Sequence, residues 1–225
     1  MDPKPRFEDG QRRSSAVRLF VATVMAVAFG CAELSAWEPD DGRWSLGVHA
    51  LLVAPDDERS SFTTDGEPAD YGLDGEGAGF EIMLDFRASH HIGFSLGAGL
   101  TNLDMSVRGA GSDPAVTESA TFEIYTAGAD WFFTPERNWD LRAGIFIAQS
   151  KLDDVIVTLG GAERKFTFDD DYGFGARVGV DWPVTNRWTV SGDVRYLKTI
   201  LESDSGASDL SIDPFIVAVG LKFRL

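Results

Sequence analysis

From Phe215 to Leu225 every second residue is apolar or aromatic: Phe215, Val217, Val219, Leu221, Phe223 and Leu225. Between them run Ile216, Ala218, Gly220, Lys222 and Arg224. Side chains alternate across a strand, so this segment predicts a strand with one greasy face and one that turns from small to cationic. The same period of two recurs upstream. Phe80, Ile82, Leu84 and Phe86 alternate with Glu81, Met83, Asp85 and Arg87. Tyr172, Phe174, Ala176, Val178, Val180 and Trp182 alternate with Gly173, Gly175, Arg177, Gly179 and Asp181. Trp188, Val190, Gly192, Val194 and Tyr196 alternate with Thr189, Ser191, Asp193 and Arg195. Eight strands are predicted, near 43–54, 78–88, 92–103, 120–134, 139–151, 171–183, 187–201 and 213–225. No helical period of useful length competes with them.

The connections alternate in length. Short ones fall at 88–93, 134–139 and 184–188, and long polar ones at 55–77, 104–119, 152–170 and 202–212. Short turns at one end and long loops at the other mark an outer-membrane barrel, with the short turns and both termini at the periplasmic rim. Trp44, Trp131, Trp139, Trp182 and Trp188 all fall at that end, with Phe86 and Phe223 level with them. An amphipathic ring prefers the headgroup zone, so these form an interface belt, and the apolar face points to lipid. The expected fold is all-β: an eight-stranded antiparallel up-and-down transmembrane β-barrel in the bacterial outer membrane.

Composition narrows the partners. A net charge of -16 argues against nucleic acid, whose phosphates need a cationic surface. The single cysteine, Cys31, leaves no intramolecular disulfide and no multi-cysteine metal site. At the N-terminus, Arg12, Arg13 and Arg18 precede the apolar run Leu19–Gly30, followed by small residues. That run reads as a signal-peptide core and is too short to span a membrane as a helix. Residues 1–36 are therefore expected to form a signal peptide cleaved near Ala32 or Ala36, with the barrel domain at 37–225. A lipidated Cys31 is the alternative, set against by Ala28 at the first position of the box. No other stretch is long and apolar enough for a spanning helix, so a membrane-embedded chain must close into a barrel.

The inward-facing charges are Glu81, Asp85, Asp130, Asp181 and Asp193 against Arg87, Arg142, Arg177, Arg195, Lys222 and Arg224. Inside a lumen that side chains can fill, opposite charges most simply pair into a plug of the periplasmic half; a polar conduction path is the alternative. Gly93, Gly97, Gly99, Gly144, Gly175 and Gly179 share the lumen face and suggest a pocket left open above that plug. Such a pocket suits a solute that enters from outside and leaves sideways. The first long loop carries Asp56, Asp57, Glu58, Asp65, Glu67, Asp70, Asp74 and Glu76, and the third ends in Asp169, Asp170 and Asp171. They read as a solvated rim, with divalent-cation binding as the alternative. Catalysis is not expected. His49 lies on the lumen face and reads as a hydrogen-bonder there, His90 and His91 fall in a turn, and no nucleophile elbow or metal motif is present. No cofactor or metal is expected.

The stretches "GVDWPVTNRWTVSGDVRYLKT" (179–199) and "SIDPFIVAVGLKFRL" (211–225) resemble the outer membrane protein W family of Gram-negative bacteria. The matching positions are Gly179, Val180, Asp181, Trp182, Asn186, Trp188, Tyr196, Asp213 and Pro214. Weaker matches lie at 51–58, 88–99 and 129–133. The resemblance implies passive passage of small, hydrophobic solutes through a narrow lumen, with lateral release into the bilayer. It also implies outer-membrane lipid, lipopolysaccharide and the barrel-assembly machinery as partners. The alternative function is a structural or surface-interaction barrel with a plugged lumen. Family members can carry bulky apolar gate residues on the third and seventh strands, where this chain has Gly97 and Arg195. It also ends on Leu225 in place of the usual aromatic.

Overall fold

The computed structural model describes residues 44–55, 59–64, 67–109, 116–133, 139–159, 162–168, 170–201 and 210–225. The expected signal segment, Asp56, Asp57, Glu58, Asp65 and Asp169 lie outside the described residues. Among the described residues thirteen strands follow one another: β1 (Trp44–Ala54), β2 (Arg59–Thr64), β3 (Glu67–Asp74), β4 (Gly77–Arg87), β5 (Ile92–Gly109), β6 (Val116–Phe133), β7 (Asp140–Leu152), β8 (Val155–Leu159), β9 (Ala162–Phe166), β10 (Asp171–Pro183), β11 (Trp188–Leu201), β12 (Leu210–Ile212) and β13 (Phe215–Arg224). Eight of them close the barrel in the order β1–β4–β5–β6–β7–β10–β11–β13, and β13 returns to β1 from Ala54↔Phe215 to Ser45↔Arg224. Every pairing is antiparallel. The fold is an all-β, eight-stranded antiparallel barrel.

Two short turns are built alike. Ser89 Oγ accepts from the Ile92 backbone N–H at 3.0 Å, and Thr185 Oγ1 accepts from that of Trp188 at 3.0 Å. Such hydroxyl turns compete well with longer connections because the side chain supplies a backbone partner locally. The C-terminus is tied to the same rim, where the Leu225 N–H donates to the Trp44 carbonyl at 2.9 Å.

The opposite end corrects the expectation of long loops. β5 and β6 continue their ladder out to Val107↔Val116, well past the predicted ends. β3 runs along the extension of β5, and β2 folds back on β3. Between β3 and β4 the chain turns at Gly75, whose φ of 82° suits a residue without a Cβ. β8 and β9 form a separate hairpin, and β12 adds to the top of β11.

The two faces of the wall divide as a membrane demands. Outward side chains such as Ile145 (71% exposed) and Phe174 (68%) are apolar and uncovered. Inward ones are buried whether apolar or charged: Phe122 and Arg142 are both fully buried. A water-soluble barrel would reverse the outer face, because exposing this much contiguous apolar surface to water is strongly unfavourable.

Candidate functional site

The lumen is built in two zones, and the change occurs along each strand. Towards the outer end His49 gives way to Leu51 and Val53 on β1, and Arg142 to Phe146 and Ala148 on β7. Arg195 likewise gives way to Leu197 on β11, and Lys222 to Ala218 and Ile216 on β13.

In the lower zone Arg195 spans the lumen to Glu81. Its two Nη groups donate to the two carboxylate oxygens at 2.7 Å each. Its Nε donates to Asp193, which also accepts from Arg142 at 2.7 Å. Arg142 stands 3.8 Å from both Asp130 and Asp181. Arg177 grips both oxygens of Asp130 and reaches Ser95 Oγ. Lys222 closes the layer with Asp85 at 3.0 Å and Asp181 at 3.2 Å. Guanidinium suits this because its planar fork bonds two acceptors at once, which offsets the large cost of taking the charges out of water.

His49 sits in the same layer, its Nδ1 3.8 Å from Glu81 Oε2, with Gly47 and Gly220 against its ring. Neither ring nitrogen has a hydrogen-bond partner, which corrects its expected role as a lumen hydrogen-bonder. The cause is distance: the nearest carboxylate is held by Arg195 instead.

Two of the predicted charges stand apart from this lattice. Arg87 lies at the periplasmic mouth, donating to Asp140 and to the His90 carbonyl, with its guanidinium 4.3 Å from the centre of the Phe132 ring. Arg224, last residue of its strand, is exposed at the rim. Both line a mouth cavity of about 80 Å³. Asp140 and Ser95 were missed in the sequence, although each has the inward parity of its strand, and Ser191, read on the inward face, was not counted in the charge network it joins.

The expected open pocket is filled. A Cβ on Gly97 would lie 2.5 Å from both Glu81 Oε1 and Thr126 Oγ1, so its place is taken by the Glu81 carboxylate. Phe146 occupies the space beside Gly175, Arg142 and Asp193 that beside Gly179, Asp130 that beside Gly144, and Phe132 that beside Gly93. Leu51 and Ile124 close on Gly99 at 3.1 Å. These glycines make room for large neighbours. The place of Gly97 is thus filled by the Glu81 carboxylate, and Arg195 stands at the centre of the ion-paired layer.

The upper zone is an apolar cluster that includes Leu51, Val53, Leu103, Met105, Phe122, Ile124 and Phe146, all nearly or fully buried. The β8–β9 hairpin closes it from above. Val155, Val157 and Phe166 turn inward while Ile156 and Thr158 face out, and Phe166 and Phe168 pack on Tyr71 at ring distances of 5.5 and 6.1 Å. On its outer side Asp154 and Lys165 form an ion pair at 2.6 Å.

The aromatic belt lies on the outer surface at the short-turn end. Trp44 covers Phe86 at 4.7 Å, Trp188 meets Phe223 edge-on at 5.0 Å, and Trp131 stacks on His91 at 5.4 Å. Trp182 is uncovered, and Trp139 is half-buried beside it. At the other end Asp213, just before β13, binds Lys198 Nζ at 2.9 Å and Tyr196 Oη at 3.2 Å. The Tyr and Asp-Pro positions of the resemblance thus fasten the start of the last strand to its neighbour.

Among solved structures, the chain is similar to the outer membrane protein OprG from Pseudomonas aeruginosa. The TM-score is 0.63 at 13% identity, covering 81% of this chain and 95% of that one. It is also similar to the outer membrane protein AlkL in DMPC lipid bilayers, with a TM-score of 0.60 at 18% identity, covering 85% and 94%. Neisserial surface protein A follows at 0.53 and 14% identity, covering 81% and 97%. At such identities the likeness is one of fold. No curated protein matches the sequence. The family match is Outer membrane protein beta-barrel domain, over residues 21–223. The closed barrel, its lipid-facing wall and that match together place the chain in the outer membrane protein beta-barrel domain family and in the bacterial outer membrane.

Proposed function

We propose that the protein is a barrel of the outer membrane protein W type that takes small apolar molecules from outside into its upper zone and releases them sideways into the bilayer. One observation carries this reading: the lumen is apolar above and ion-paired below. A polar solute entering the upper zone exchanges its full hydration for scattered hydroxyls, those of Thr101, Ser106, Ser150 and Thr199, set in a largely apolar wall. An apolar solute gains transfer free energy there, but descending further would require prising apart buried charge pairs. The favourable exit for it is lateral. Admission requires the β8–β9 hairpin to lift from Tyr71. The resemblance at 179–199 and 211–225 and the likeness in fold to OprG and AlkL support the family assignment.

The test uses vesicles whose outer leaflet contains lipopolysaccharide, since a plain phospholipid bilayer is no barrier to such solutes. Uptake of naphthalene faster than in protein-free vesicles supports the proposal, and equal rates refute it.

A second reading is a sealed barrel that acts through its outer hairpins. It is favoured by the near-complete burial of the upper-zone side chains, Val107 and Phe122 among them.

A further inference from the structure

Of the three histidines only His49 stands inside the lumen, and its fully buried ring has neither nitrogen hydrogen-bonded. An apolar residue in its place would spare the barrel two unpartnered polar atoms, so packing alone leaves this imidazole unexplained. Charge faces it from three strands. Glu81 of β4 holds Oε2 3.8 Å from Nδ1. The stem of Lys222 on β13 shares the space over Gly47 with the ring, since a Cβ there would lie 3.1 Å from Lys222 Cγ and 3.0 Å from His49 Cε1. Asp193 and Arg195 act on it from β11. These charges balance without it. Among the described residues, the five carboxylates of the layer and Asp140 face Arg142, Arg177, Arg195 and Lys222 together with Arg87 and Arg224 at the mouth, six against six. A proton on His49 is therefore a seventh positive charge in a buried space that has no seventh acid.

What that charge does follows from the geometry. An imidazolium donates from both nitrogens, and a shift of about 1 Å brings Nδ1 within bonding distance of Glu81 Oε2. That oxygen now accepts from Arg195 Nη2 at 2.7 Å. The cation placed to leave is Lys222. Its ammonium meets Asp85 at 3.0 Å and Asp181 at 3.2 Å on the edge of the mouth cavity of about 80 Å³, whereas Arg195 and Arg177 are each forked onto a carboxylate. The same cavity is the way in for the proton, because Leu51, Val53 and the apolar cluster close the lumen above the ring. We propose that His49 is an acid-operated release for the plug. Protonated from the periplasmic mouth, its ring takes Glu81 Oε2 from Arg195 and drives Lys222 into the cavity, which opens the lower lumen to small ions. The proposal rests on the ion-paired layer alone and holds for a conduit and for a sealed barrel alike.

The experiment is single-barrel conductance in a planar bilayer at about pH 7.5 and at about pH 4.5, the second well below the ordinary histidine value. Wild type should be closed at the first and show open steps at the second. His49→Gln, which cannot take up the charge, should stay closed at both. His90→Gln with His91→Gln, at the periplasmic turn, should keep the acid response. A wild type closed at both values overturns the proposal, and so does a His49→Gln barrel that opens in acid like wild type. Steps already present in wild type at about pH 7.5 would overturn the closed layer itself. If His49→Gln does not fold, nitrogen NMR of the wild-type imidazole replaces it. The ring should gain its proton over the range in which the steps appear, and a ring still neutral in the open barrel overturns its role as the trigger.

Discussion

Arg195 donates a hydrogen bond to each carboxylate oxygen of Glu81 at 2.7 Å, joining residues 114 positions apart across the lumen. The carboxylate can stand there because Gly97 leaves its Cβ site empty, 2.5 Å from Glu81 Oε1. Two of the three positions at which this chain departs from the family it resembles, Gly97 and Arg195, therefore serve one structure. A glycine makes room for the acid and an arginine neutralises it.

Removing one partner should be costly. Arg195→Met leaves Glu81 buried and unpaired and should destabilise the barrel by about 3–5 kcal/mol. Arg195→Met combined with Glu81→Leu should recover much of the loss, because no orphaned carboxylate remains on β4. Urea unfolding in lipid vesicles measures both, and a single variant as stable as wild type would speak for a water-lined wall.

Gly97→Ala should destabilise by about 1–3 kcal/mol through overpacking against Glu81 and Thr126. The same assay should find Gly192→Ala near neutral, since its Cβ meets only ordinary contacts. Equal effects at the two sites would remove the distinction between a filled inner face and an open outer one.

How much of this was legible in the sequence depends on which physical signal each feature leaves. Alternation of Val178, Val180 and Trp182 with Arg177, Gly179 and Asp181 reveals a strand and its two faces, because lipid and lumen impose opposite chemistry on adjacent residues. Alternation does not say what fills a space: Gly175 is visibly inward, but only the fold brings Phe146 against it. The apolar upper zone was readable in principle, as Leu51 and Val53 share parity with His49 and Leu197 with Arg195. The outer hairpins were not. Val155–Leu159 is short, nearly all apolar and set among polar loop residues, so its inward side emerges only when Val155 and Val157 pack with Phe166.

The faces themselves can be tested by charge. Val178, near the middle of β10 and 55% exposed to lipid, should tolerate arginine poorly, at about 2–4 kcal/mol for a midplane position. Val184, in the turn after β10, should tolerate the same change at close to no cost. Unfolding free energies in vesicles that rank the two alike would contradict the assigned membrane span.

The upper zone carries its own expectation. Phe122→Ala, at a fully buried site, should cost about 3–5 kcal/mol and leave a cavity lined by apolar groups. That cavity should take up naphthalene, read as a rise in melting temperature with added ligand, whereas wild type under the same conditions shows a smaller rise.

The most direct test of the two-zone lumen is the ionic conductance of single barrels in a planar bilayer. A lumen closed below by Arg195, Glu81, Arg142, Asp193 and Lys222 should give no stable open step at neutral pH. A steady ohmic conductance in the wild-type protein would mean that water runs the length of the barrel, and both the plug and the lateral exit would have to be abandoned.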